Sequence, residues 1–247
     1  MTKTADGLYE YNARPHGSQE KLLGLVGRAD RVLDVGCSTG YLAERMQKQG
    51  STVVGLDVDE RSAELARQFC EAVYVGDVET MELPFEQGTF DVILCGDLIE
   101  HLRDPQAFLA RIRPYLRPEG RLVLSTPNIA NWAMRIGLLF GRFRYTEWGI
   151  LDSTHTHFFT RKTLRECLEA AGYRVVVFDY TVPVPVLSTT PVEAVAHRIG
   201  RLRPSLLAYQ FVVAAVPAHE QPAESDGSNH PAERESPVGI RTSGRER

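Results

Sequence analysis

A chain of 247 residues, 43% apolar and 24% charged, can fill the core of one sizeable α/β domain, and its net charge of −4 supplies no global field for nucleic acid or anionic membrane. No run approaches the roughly 18 apolar residues of a bilayer span, and Met1–Asp6 lacks the apolar centre of a signal peptide, so a cytoplasmic protein without stable membrane insertion is expected. Cys37, Cys70, Cys95 and Cys167 form no Cys-x-x-Cys pair, which argues against a zinc knuckle or disulfide framework and fits a reducing compartment.

In chain order, Ser18 to Val26 reads as a short helix with Leu22, Leu23 and Val26 on one face. A strand over 31–35 breaks into a glycine turn, and a helix from about 40 to 49 buries Leu42 and Met46 before stopping at Gly50. A second strand, Thr52 to Leu56, ends in Asp57, and a helix from about 60 leads to a third strand at 72–75. The fourth, Phe90 to Cys95, follows the turn Gln87-Gly88. Such near-continuous apolar runs suit strands covered on both faces. Asp104 caps a helix with Pro105 at its first position and Phe108, Leu109, Ile112 and Leu116 at helical spacing. Pro118 and Gly120 end it, and Arg121 to Ser125 makes the fifth strand. Strand and helix alternate five times, the signature of a doubly wound parallel sheet. Thr160 then caps a helix with Leu164, Cys167, Leu168 and Ala171 inward, closed by Gly172, and apolar runs follow at 175–178 and 210–214.

Two inserts interrupt this scaffold within a domain spanning 1–216. Residues 127–159 carry Trp132, Phe140, Phe143, Tyr145, Trp148, Phe158 and Phe159 and are expected to fold over the sheet edge as a lid. The rings offer stacking surfaces for a sugar or flat ring, but most are expected to fill a small satellite core, because so many exposed rings would be a liability. A contact of 132–140 with a membrane or lipid-linked substrate is a further reading that its length and single charge make weak. Residues 181–207 hold Pro183, Pro185 and Pro191, then a basic amphipathic stretch from His197 to Arg203. From 217 to 247 the composition turns to Glu, Ser, Pro, Gly and Asn, which predicts a disordered tail.

The turn after the first strand is Asp34-x-Gly36-x-x-x-Gly40, with Cys37 inside it, not the Gly-x-Gly-x-x-Gly of dinucleotide oxidoreductases. It resembles the cofactor loop of class I S-adenosylmethionine (SAM) methyltransferases, a likeness that covers roughly residues 20–180. The resemblance implies a mostly parallel, seven-stranded Rossmann-like sheet with an antiparallel last strand, which periodicity alone does not show. It also implies SAM as cofactor. Gly36 and Gly40 would let the backbone curl around the methionine part, and Asp34 would attract its ammonium or order the loop. Asp57, with Val58 beside it, stands where a carboxylate accepts both ribose hydroxyls. Asp77 and Val78, after Gly76, are placed to read adenine through a carboxylate and a backbone N–H. Each of these residues alone has the ordinary alternative of a loop cap.

After the fourth strand comes Gly96-Asp97-Leu98-Ile99-Glu100-His101, with Gly96 counted among the cofactor contacts. In a helical turn, Asp97, Glu100 and His101 would share one face. The segment resembles the Glu-x-x-Glu-His signature of the ubiquinone-biosynthesis O-methyltransferases and of the enzymes that 2′-O-methylate small-RNA 3′ ends. In the latter, both acids and the histidine bind a divalent metal completed by a later histidine. Here His155 stands six residues before Arg161, as that ligand does, with His157 as its neighbour. The resemblance implies Mg2+ or another divalent metal on Asp97, Glu100, His101 and His155. Asp97 in place of Glu and the missing Glu-Trp pair are departures from the pattern. A metal-free route has His101 as general base oriented by a carboxylate such as Asp97, and a third alternative leaves the turn structural.

The expected activity is SAM-dependent O-methylation of a small-molecule or glycan hydroxyl. Thr126-Pro127-Asn128, the 151–155 segment and the 205–210 ending resemble methyltransferases of bacterial glycan and natural-product pathways. Three alternatives stay open. RNA 3′-terminal 2′-O-methylation is disfavoured by the negative charge and the lack of a basic groove outside 198–203. A non-catalytic SAM-binding partner protein is disfavoured by the polar reaction turn, and a nicotinamide oxidoreductase by the glycine spacing.

Overall fold

The computed structural model describes residues 2–3, 9–11, 16–182 and 204–218. The prolines at 183, 185 and 191, the basic stretch 197–203 and the tail after 218 lie outside the described residues. A short antiparallel ribbon, Thr2–Lys3 with Tyr9–Glu10, precedes the domain.

Seven strands form one sheet: β1 (Arg31–Val35), β2 (Thr52–Asp57), β3 (Ala72–Val75), β4 (Phe90–Gly96), β5 (Leu116–Pro127), β6 (Tyr173–Thr181) and β7 (Gln210–Pro217). Their spatial order is β3-β2-β1-β4-β5-β7-β6. The first five run parallel, and β7 is antiparallel to both β5 and β6. The order turns back between β1 and β4. Connections leave these two strands in opposite directions, so their carboxyl ends open a crevice. That switch point sets the glycine turn after β1 beside the acidic turn after β4.

Helices α1 (Ser18–Val26), α2 (Tyr41–Lys48), α3 (Glu60–Ala66), α4 (Pro105–Ile112) and α6 (Arg161–Ala170) accompany the sheet, with α5 (Trp132–Leu139) in the first insert and α7 (Pro204–Leu207) before β7. Strand parity sorts the core into two layers. Leu33, Val35, Ile93 and Leu122 pack with Leu109, Ile112, Leu164 and Leu168 of α4 and α6. Val32, Val92, Leu94 and Val123 face the other way, onto Leu22, Val26, Leu42 and Met46 of α1 and α2. A sheet buried on both faces explains the continuous apolar runs.

The helix expected to reach Leu116 is shorter. α4 ends at Ile112, a 3-10 turn covers Arg113–Tyr115, and Leu116 already pairs with Phe90 in the sheet. Pro114 is the reason. Its ring removes the N–H that would continue the ladder and crowds the carbonyl one turn back, so the helix tightens into a 3-10 turn although Arg113 keeps helical angles. The pairing then jumps to Val92 with Arg121, so 117–120 bulge out, and the strand begins five residues before Arg121.

The first insert also departs from expectation. None of the α5 side chains is buried, and Phe140, Phe143, Tyr145 and Trp148 after it are exposed. Only Phe159 joins the core, with Phe158 half-buried. The satellite core expected from the ring count is therefore not what the insert builds. Its ends are nevertheless fixed. The Asn128 and Asn131 amides both donate to the Ala208 carbonyl, at 2.8 and 2.9 Å, and the Ile129 N–H donates to Phe159 O at 3.0 Å.

Candidate active site

The loop after β1 is held by backbone geometry that few residues adopt freely. Gly36, Ser38 and Gly40 have φ of +74°, +49° and +77°. Gly36 and Cys37 both donate to the Leu56 carbonyl, at 2.8 and 3.0 Å, which lays the loop against the end of β2. A Cβ on Gly36 would sit 3.2 Å from the Leu98 side chain, so this glycine lets the two crevice turns meet. Gly40 answers a different need. A Cβ there would stand 2.9 Å from the Ala66 backbone and 3.1 Å from the Phe69 ring, so its small size serves the packing of α2 against the end of α3. Cys37 is buried against Gly55 and Cys70, and its thiol is pushed far up by burial, with Asp34 adding to it.

Asp34 is 2% exposed, and its Oδ2 has no hydrogen-bond partner among the described residues. Burial, and after it the Asp57 charge, push its carboxyl up to about 7. Asp57 sits at the mouth of the crevice. Its Oδ2 accepts from Ser38 N at 2.6 Å and its Oδ1 from Asp59 N at 2.9 Å. Each carboxylate oxygen offers two lone pairs, so this bonding leaves acceptor capacity on both. Val58 beside it is 71% exposed. After β3, Asp77 Oδ1 accepts from Glu79 N at 2.9 Å, and Val78 is buried.

Glu79 is a residue the sequence did not single out. Its carboxylate accepts from the backbone N–H groups of Arg103 and Asp104 at 2.9 to 3.0 Å, tying the loop after β3 to the start of α4.

The turn after β4 sets Asp97 apart from Glu100 and His101, with which it was expected to share a face. Gly96 ends the strand against Leu22, and Asp97 follows with a left-handed φ of +52°. Only Ile99–His101 forms a 3-10 turn, so Asp97 lies before the helical geometry begins. Its Oδ1 accepts from the Ser125 hydroxyl at 2.6 Å and from the Gln210 amide. Burial raises the Asp97 carboxyl, against the opposing pull of these two donors. Ser125 and Gln210 were legible only as polar residues at strand ends, the edge where this fold binds ligands.

Glu100, His101 and His155 do converge: one ligand atom from each lies within 4.8 Å of the others. Glu100 is 1% exposed, and among the described residues neither carboxylate oxygen has a well-formed hydrogen bond, although the Thr126 hydroxyl lies alongside. Burial, then the neighbouring Asp97 charge, hold its carboxyl well above the usual range. A bare buried carboxylate costs several kcal/mol, so this group must hold a proton or face a cation.

The two histidines are oriented alike. His155 Nδ1 lies 3.0 Å from the Ile150 carbonyl, and His101 Nδ1 lies 3.3 Å from the Thr154 carbonyl. A carbonyl only accepts, so these bonds are made by an Nδ1 that carries the proton. The Thr154 hydroxyl, 3.1 Å from His101 Nδ1, gives its own proton to Asp152 Oδ1 at 2.7 Å and is left to accept as well. Burial and His155 lower the His101 pKa. His157 turns elsewhere, with Nδ1 2.9 Å from the Leu102 carbonyl, and stands outside the cluster. The segment is pinned in this register because Thr156 N and His157 N both donate to the Glu100 carbonyl, at 2.8 and 3.0 Å.

No helix among the described residues is long and apolar enough to cross a membrane. Comparison with known proteins agrees with the fold. A ubiquinone biosynthesis O-methyltransferase of Acinetobacter baylyi is 34% identical over 111 residues, 42% of this chain and 46% of the relative. The chain thus spans about half the length of the curated relatives it matches. Among solved structures, the Haloferax volcanii methyltransferase in complex with the Trm112 activator superposes with a TM-score of 0.59 at 20% identity, covering 83% of this chain and 90% of the other. A SAM-dependent methyltransferase from Archaeoglobus fulgidus gives 0.54 at 19% identity, covering 81% and 94%. At such identities the likeness concerns the fold. A methyltransferase-domain profile matches residues 11–177, well over half of the sequence, and the chain therefore belongs to the methyltransferase-domain family.

Proposed function

We propose that this methyltransferase acts on a hydroxyl of a small molecule or glycan, at the turn formed by Glu100, His101 and His155. The observation that carries the proposal is the buried Glu100 carboxylate, with no well-formed hydrogen bond among the described residues, converging with two imidazoles whose Nδ1 atoms are the ones turned to backbone carbonyls. The name of the Acinetobacter relative supports oxygen as the methylated atom.

A hydroxyl is a poor nucleophile until its proton leaves. Transfer forms an O–CH3 bond as the C–S bond of the sulfonium breaks, and the hydroxyl proton must pass to a base. The donor set fits a divalent cation: one carboxylate and two imidazoles, each fixed through Nδ1 by a backbone carbonyl in the manner of metal-ligating histidines. Such an ion, held by Glu100, His101 and His155, would lower the pKa of a hydroxyl bound beside it. Asp97 contributes at one remove, its charge beside Glu100 favouring a cation there. On the donor side, Asp57 is the acceptor for the ribose diol, Asp77 and Val78 face adenine, and Asp34 attracts the ammonium.

A metal-free route has its own support. His101 Nε2 is unoccupied, and its pKa is held below the ordinary value, so it is a neutral base at pH 7. Incubation with labelled SAM and separate pools of phenols, glycans and RNA, with and without chelator, tests all of this. Label in the hydroxyl pools that is lost on chelation supports the metal-assisted form; label that survives chelation assigns the base role to His101. Transfer confined to RNA 3′ ends, or to nitrogen, overturns the proposal.

A further inference from the structure

Residues 132–148 contain no buried position, yet they are rich in large apolar side chains. Trp132, Ile136 and Leu139 fall at i, i+4 and i+7 of α5 and make one stripe. Leu139 is 79% exposed, Phe140 70% and Trp148 75%. A contiguous apolar surface of this kind marks an interaction site on a soluble fold. The same stretch holds three arginines, Arg135, Arg142 and Arg144, against one acid, Glu147, in a chain whose net charge is −4. The global charge repels an anionic surface, whereas this face attracts one. The Arg135 Nε donates to the Ala130 carbonyl at 2.7 Å, and its side chain stays exposed.

Indole rings interleaved with arginines suit the headgroup level of a bilayer. The ring body enters the acyl boundary while N–H and guanidinium groups meet phosphates. The competing occupants fit less well. A second copy on a two-fold axis would set the three arginines against the same three, since such a contact repeats one patch on itself. The chain's own basic stretch, with Arg198, Arg201 and Arg203, carries the same sign as the face it would cover. The face also reaches the site. Phe143 meets Phe158 edge-on at 6.0 Å between ring centroids, and Phe158 meets His155 at 6.2 Å.

We propose that residues 132–148 dock reversibly on an anionic lipid bilayer, with α5 in the interface plane and the three arginines on lipid phosphates. The inference does not depend on which acceptor the enzyme methylates. Both tryptophans of the chain, Trp132 and Trp148, lie in the face, so intrinsic fluorescence reports on it alone. The test mixes the full chain with phosphatidylcholine vesicles, with and without phosphatidylglycerol. We expect sedimentation with the anionic vesicles, a blue shift of tryptophan emission, and weakening by salt. Replacing an arginine should lower partitioning about fivefold, and the triple variant Arg135→Gln/Arg142→Gln/Arg144→Gln on the order of 100-fold. Leu139→Asp with Phe140→Asp should abolish the blue shift while thermal midpoint and SAM affinity hold, because both side chains are exposed. Equal binding to pure phosphatidylcholine, no binding to anionic vesicles, or binding without a change in emission would each overturn the proposal. So would a dimer in solution whose emission is already blue-shifted and which the aspartate pair dissociates.

Discussion

The imidazoles of His101 and His155 meet edge to face, ring centroids 4.8 Å apart, although 53 residues separate the Thr154 carbonyl from the His101 ring that contacts it. Both rings turn Nδ1 to a carbonyl, and the buried Glu100 carboxylate lies beside them. Two imidazoles with lone pairs and one uncompensated carboxylate make a cation the natural complement. Glu100→Gln keeps shape and removes the charge. We expect a loss of divalent-ion affinity of 10-fold or more on the order-of-magnitude scale of a lost ligand, with turnover falling in parallel and the fold retained. Calorimetric titration with Mn2+ or Mg2+ measures the first, labelled methyl transfer the second. Unchanged ion binding would place the metal elsewhere or nowhere.

Asp57→Ala removes the acceptor for Ser38 N and Asp59 N as well as the proposed diol clamp. Hydrogen bonds to a charged group are worth about 1.5–3 kcal/mol each, so SAM affinity should fall on the order of 10- to 100-fold for each diol hydroxyl that loses its acceptor. Equilibrium dialysis with labelled SAM reads this directly; affinity within twofold of the parent would remove Asp57 from the site.

Asp34 links stability to binding through pH. Its carboxyl titrates at about 7 in the fold against 3.8 in the open chain, so the folded state holds the proton more tightly. The penalty for the ionised form is therefore absent below pH 3.8, grows as pH rises, and is complete above about 7. Asp34→Asn should melt higher than the parent at pH 8, by up to a few kcal/mol of stability, with the gain shrinking towards pH 4. SAM affinity of the parent should weaken as pH falls through about 7, and that of the variant should be low and flat. Thermal melts and SAM titrations across pH 5–9 check both, and a variant less stable than the parent at pH 8 would count against the account.

Gly40→Ala tests a packing role. The new Cβ meets the Ala66 backbone at 2.9 Å in a residue with φ of +77°. The cost is about 1–3 kcal/mol, read as a lower urea midpoint. Full stability would mean that α2 and α3 can separate freely.

Much of the fold was readable because its causes are local. The apolar runs of β1, β2 and β4, the Asp104 and Thr160 caps and the closing glycines each act within a few residues. Pro114 was equally local, yet the helical spacing that reached Leu116 masked it. The site divides the same way. The glycine turn and the acids after β1, β2 and β3 stand at strand ends that periodicity locates. The partners of Asp97 are not local: Ser125 lies 28 residues away and Gln210 113, and only the sheet order brings them together. The choice of His155 over His157 likewise depends on two backbone bonds to Glu100 that no spacing rule contains. The exposed rings of 132–148 were misjudged because ring count predicts burial, whereas the α5 stripe faces outward.

The most direct measurement is the initial rate of labelled methyl transfer from SAM to a hydroxyl acceptor as divalent ion is titrated into chelator-stripped enzyme, for the parent chain and for His155→Ala. We predict a rate that rises from near zero to saturation in the parent, with the His155→Ala curve displaced to higher ion concentration. A rate independent of ion in both proteins would contradict the proposed metal-assisted site.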